Sequence, residues 1–286
     1  MPGGVVSGAP GRGRRAHEPA TAGERWARSE LERLRARRFS PAAVVAFLDA
    51  SCRRSAEVRT TRPRLARQAR RWELFGALTW ALLAAGRREP FCRRLRSGLC
   101  WWAACALMLE WHLGMMETEG GEPLALGAAD ALTLMRAWLV PVAADGPDPL
   151  VCATAAITDI FDGVWARRRG STRAGRDLEG LVDACFGLAA LRGARRRGML
   201  GVLPARAEGL RLLTGIALAT LIYFGRARAP DPALARAARA TTALRAGGLI
   251  VAGTGRRQIA DVAVTSGSAL SIALAVVAVG RARRAR

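Results

Sequence analysis

From residue 72 onward, apolar runs alternate with arginine clusters. The runs cover 74–85, 98–116, 128–144, 150–166, 178–191, 210–225, 241–253 and 259–280. Most fall short of the roughly 20 residues that cross a bilayer core, so each alone could be a buried helix of a soluble bundle. Together, with few acids and with arginines massed at their ends, they would need far more polar surface than the chain carries to stay in water. Alternating strand patterns are weak and no solenoid-length repeat is present. The pattern predicts an all-α fold, a multispanning helical membrane bundle. Trp101 and Trp102 near the start of one run, and Trp72 and Trp80 around another, suit an interfacial aromatic belt as well as a protein core.

Residues 1–70 read differently. They hold sixteen arginines against six acids, open on a Gly/Pro/Ala-rich stretch and lack the apolar segment of a signal peptide. A basic, partly disordered cytoplasmic arm is expected. Within it Ser40-Pro41 reads as an N-cap and first helical residue, which puts Val44, Val45 and Leu48 on one face of a short amphipathic helix. An ordinary surface helix fits that face more readily than one lying on a membrane. The segment 71–127 then carries the extra apolar helices.

Composition sharpens the chemistry. The 286 residues carry a formal net charge of +22, yet 51% are apolar and 24% charged. Every basic residue is arginine, and lysine and asparagine are missing altogether. Such uniformity reflects genome composition as much as function. The arginines cluster at the ends of apolar runs and no aromatic-interleaved basic motif appears, so a nucleic-acid partner is not expected. Cys52, Cys92, Cys100, Cys105, Cys152 and Cys185 form no C-x-x-C pair and read as small buried hydrophobes. With His17 and His112 the only histidines, any metal must be held by carboxylates, which points to magnesium, manganese or calcium.

Four carboxylates stand out. Asp159 and Asp162 are three apart, Glu179 and Asp183 four apart, so each pair shares a face of its own helix. If the two helices are antiparallel neighbours joined by the turn 168–174, all four converge at one depth. Repulsion and desolvation would then oppose full ionisation unless cations lie between them. Two divalent ions answer that and create a seat for a diphosphate, so chemistry on a phosphate ester is expected. Gly163 and Gly175 remove side chains where a nucleotide or a helix must approach the backbone, and Ala166 does so in part. Arg167 and its neighbours supply positive charge for phosphate. The plainer reading is a set of helix-end acids neutralised by arginines, with no metal. Glu110 and His112 are read as snorkelling residues at a helix end rather than an acid/base pair.

The string Asp159-x-x-Asp162-Gly163-x-x-Ala166-Arg167, followed by Gly175-x-x-x-Glu179-x-x-x-Asp183, resembles the signature of the CDP-alcohol phosphotransferases, membrane enzymes of phospholipid synthesis. Leu132-Thr133-Leu134-Met135-Arg136, with Pro141, is similar to the run that opens the family's first core helix. The resemblance covers about 128–280 and implies a six-helix core over 128–286, with the 71–127 helices as additions. It implies that Asp159, Asp162, Glu179 and Asp183 hold two Mg²⁺ or Mn²⁺ ions. It further implies that Asp183 acts as the general base on a hydroxyl acceptor, that a CDP-linked lipid or alcohol is the donor and that CMP leaves. Gly163, Ala166, Arg167, Thr172 and Gly175 would meet the cytidine diphosphate portion. A homodimer among membrane lipids is also implied. Two departures stand against the pattern: Glu179 replaces an aspartate, and the spacer 168–174 is one residue shorter than usual. They keep open an alternative, a non-catalytic helical membrane protein derived from the same fold.

The arginines of the 167–176 turn place the expected site on the cytoplasmic face of a bacterial cell membrane, while Arg192, Arg195, Arg196 and Arg197 weigh against that orientation. The Arg281–Arg286 end reads as a stop signal.

Overall fold

The computed structural model describes residues 21–118, 121–169, 172–223 and 232–284. Ten α-helices run through them: α1 (Ala22–Ala36), α2 (Pro41–Thr61), α3 (Pro63–Ala85), α4 (Leu95–His112), α5 (Ala128–Asp145), α6 (Pro149–Arg169), α7 (Arg173–Arg196), α8 (Val202–Tyr223), α9 (Pro232–Gly253) and α10 (Arg257–Arg284). A 3₁₀ turn at Leu113–Met115 follows α4. Among the described residues there is no β-strand, so the chain is all-α as expected.

Local chemistry sets the helix ends. Thr21 and Ser40 accept from the N–H of Glu24 and Ala43 and cap α1 and α2. Proline occupies the first position of α2, α3, α6 and α9, where its missing N–H has no intrahelical partner to lose. Gly198, at φ 69°, closes α7 while Met199 N–H reaches back to the Ala194 carbonyl at 2.8 Å, and Gly255, at φ 83°, follows α9.

The chain divides into two compact units, one of 1–85, 95–135 and 159–181, the other of 86–94, 136–158 and 182–286. In the first unit Ala27, Leu65, Ala69, Leu109, Leu113, Met115, Met116, Leu126 and Ala174 form the core. There α3 and α4 interlock through two glycine–tryptophan pairs. A Cβ on Gly76 would come within 2.3 Å of the Trp102 ring, and one on Gly98 within 2.2 Å of the Trp80 ring. Trp80 and Trp102 are both buried, which makes them core residues. Gln68 of α3 clamps the backbone of Leu126, donating to its carbonyl at 2.8 Å and accepting from its N–H at 3.2 Å, and so fixes the lead into α5.

In the second unit α10 packs on α8 and α9, with Leu191, Ala194, Leu200, Ala252, Ala260 and Val264 as core. Within the three-helix packing lies a polar knot. Glu208 accepts from Arg211 Nε at 2.8 Å, Arg245 Nη1 at 2.9 Å and Ser268 Oγ at 2.8 Å. A buried carboxylate so fully bonded is tolerable, and one left alone would not be. Asp145, at the end of α5, takes Arg93, Arg94 and Arg197 together.

One helix among the described residues is long and apolar enough to cross a membrane, α10 over Arg257–Gly280, 24 residues of which the most apolar stretch is 22% buried. No other described helix reaches that length and apolarity together.

Three expectations need correction. Only Cys152 is buried, while Cys52 and Cys100 are exposed and the other three half-buried. Glu110 does not snorkel: it accepts from Ser55 Oγ at 3.1 Å and pairs with Arg59 at 3.3 Å, both on α2. The ring of His112 stays with its own helix, Nδ1 lying 2.7 Å from the Met108 carbonyl. Val44 and Val45 do share a side of α2, but that side is exposed, and α2 buries Ala43, Ser51 and Ser55 instead.

Candidate metal centre

The start of α7 is fixed by a hydroxyl and a carboxylate. Thr172, buried, accepts from the Gly175 N–H at 2.9 Å and so caps the helix. The same hydroxyl donates to Asp130 Oδ1 at 3.2 Å. Asp130 stands in the first turn of α5 and through Oδ2 accepts from the Gly127 N–H at 2.7 Å, the reciprocal half of a capping box. One carboxylate thus binds the starts of two helices, where the peptide dipoles favour negative charge. A Cβ on Gly175 would lie 2.7 Å from Thr172 Oγ1 and 2.8 Å from Asp130 Oδ1. Thr172 and Gly175, expected beside the substrate, therefore have contacts of their own here. Asp130 was not among the expected site residues, although Gly127-x-x-Asp130 has capping-box spacing.

From that anchored start α7 carries Glu179 and, one turn later, Asp183. Across the short link 170–172, α6 carries Asp159. One carboxylate oxygen from each of Asp159, Glu179 and Asp183 lies within 4.8 Å of the other two. Asp159 and Glu179 are half-buried and Asp183 is more exposed. A hard cation with bonds of about 2.0–2.6 Å holds its ligand atoms no more than about 5 Å apart, so three such oxygens fit one shared ion. Asp162, Gly163, Ala166 and Arg167 fall on α6, and beyond that they lie outside the described residues.

Arg136 of α5 completes the arrangement. It is 2% exposed, and its Nε lies 3.2 Å from Asp183 Oδ1. The ion pair gives a deeply buried guanidinium a counter-charge. Spacing along the chain offered no sign of this contact, because it depends on α5 and α7 being neighbours.

No family model, curated protein or solved structure matches this chain.

Proposed function

We propose that the chain is an integral membrane phosphotransferase that moves a substituted phosphate group from a CDP-linked lipid or alcohol to a hydroxyl acceptor. The observation that carries the reading is the meeting of Asp159, Glu179 and Asp183 within 4.8 Å, in the two segments where the sequence resembles the CDP-alcohol phosphotransferases. The largely unburied α10 span supports the membrane setting, with further crossings by α5–α9 proposed from the apolar runs.

In this reading Asp159, Glu179 and Asp183, with Asp162, would hold two Mg²⁺ or Mn²⁺ ions. Such ions, when bound, supply the positive charge that neutralises a diphosphate and its leaving phosphate. The protein's own part is placement and proton transfer. Arg136, paired with Asp183, is a positioning residue for the carboxylate that takes the acceptor's hydroxyl proton. The acceptor oxygen forms a bond to phosphorus, the bond from phosphorus to the CMP oxygen breaks, and CMP departs. Gly163 and Arg167 are proposed to meet the cytidine diphosphate.

The test is CMP release by purified protein with Mg²⁺ or Mn²⁺ across a panel of CDP-alcohols and acceptors. Turnover should need the metal and should fall by about a hundredfold or more in Asp183→Asn, the scale of losing a positioned general base. Glu179 in place of an aspartate favours one rival, a non-catalytic relative of the same fold. Absence of turnover throughout the panel, with metal still bound, would establish that rival.

A further inference from the structure

The α3–α4 hairpin lies outside the proposed chemistry, and its two faces differ sharply. Leu74, Phe75, Leu78 and Leu82 are exposed by 57%, 73%, 60% and 72%. At about 100° per residue these four side chains fall within an arc of about 100°. The opposite side of α3 holds the buried Leu65, Ala69, Gly76, Trp80 and Ala84, against which α4 packs. Four large apolar side chains on one stripe, each more than half exposed, are a costly surface to leave in water.

The flanks indicate what covers the stripe. Arg70 and Arg71 precede it, and Arg87 and Arg88 follow the end of α3. Arg71 to Ala85 is fifteen residues, whose ends stand about 21 Å apart along the helix. Guanidiniums snorkelling outward at both ends extend that toward the ~30 Å of a bilayer core. A helix partner inside a membrane asks for small residues, which let backbones approach. Gly76, the smallest residue on α3, lies on the other face, where it already receives Trp102. On the exposed side Ala81 and Ala85 are small but sit at its C-terminal end, and over the rest Leu74, Phe75, Leu78 and Leu82 stand between the α3 backbone and any neighbour, which suits lipid chains better than a closely packed second helix.

We infer that the α3–α4 hairpin is a further membrane-embedded element, with Leu74, Phe75, Leu78 and Leu82 against lipid hydrocarbon and the arginine pairs at the two head-group levels. The inference rests on the membrane part of the proposed reading and not on its chemistry.

The experiment uses the full chain, made cysteine-free, in vesicles of phosphatidylcholine and phosphatidylglycerol. A nitroxide is attached at Leu78→Cys and, separately, at Val276→Cys on the exposed side of α10. Collision with oxygen and not with a water-soluble nickel complex is expected at both. Access of nickel to the Leu78→Cys label overturns the inference, and so does shielding of that label from both reagents, the sign of a protein partner. The Val276→Cys label separates the causes: if it lies in lipid while the Leu78→Cys label does not, only the hairpin fails, whereas nickel access to both removes the membrane reading as well. A second measurement keeps the native cysteines. With p-benzoylphenylalanine in place of Phe75, ultraviolet light should join the chain to radiolabelled phospholipid, and a crosslinked protein dimer in its place would contradict the assignment.

Discussion

Asp130 serves two helix starts with one side chain, accepting from the Gly127 N–H and from the Thr172 hydroxyl. Removing it with Asp130→Ala should lower stability by about 1–2 kcal/mol, the scale of a lost cap and its hydrogen bonds. Thermal unfolding in detergent measures this, and Thr172→Ser should unfold like the parent because the hydroxyl is kept. A loss of substrate affinity in Thr172→Ala without any loss of stability would show that the hydroxyl serves the ligand and not the helix. Asp159, Glu179 and Asp183 were legible in the sequence because spacings of three and four residues fix a shared helix face. The contacts of Arg136 and Asp130 were not, since their partners stand 47 and 42 residues away along the chain, and only helix adjacency brings them together.

Helices and their ends were the most readable elements. Pro41 at the first position of α2 and Ser40 as its cap stand where the sequence placed them. The helix α1 was less readable, because Trp26, Leu31 and Leu34 are spread among arginines and glutamates and give a sparse apolar stripe. The α3–α4 lock was also hidden. Glycine and tryptophan at apolar-run boundaries suggest a membrane interface as readily as a core, and the choice is made by the reciprocal seating of Trp102 on Gly76 and Trp80 on Gly98. Steric cost follows directly. In Gly98→Val a new side chain would meet the Trp80 ring, which is fully buried and has nowhere to retreat. A loss of at least about 2 kcal/mol is expected, at the upper part of the range for overpacked cores. Combining it with Trp80→Ala should recover part of that loss by vacating the space, as a double-mutant cycle in denaturant would measure.

At the scale of the whole molecule, the all-helical class was legible from the periodicity of the apolar runs, and which of those runs are long and apolar enough to cross a membrane was not. Many runs are apolar, whereas length and apolar composition together mark α10, among the described helices, as the one long and apolar enough to cross a membrane. Polar knots explain part of the difference. Glu208, Arg211 and Arg245 interrupt α8 and α9 with charges that satisfy one another inside the bundle, so those helices look less apolar than their setting. The acidic centre on α6 and α7 is what would turn such a bundle into an enzyme, and cation binding tests that centre before any substrate is known. Manganese titration of the purified full chain, followed by electron paramagnetic resonance of the free ion, measures it most directly. Saturable binding by the parent chain, with loss of that binding in Asp159→Asn and in Asp183→Asn, is the expected result. Absence of saturable binding, or binding that survives both substitutions unchanged, would contradict it.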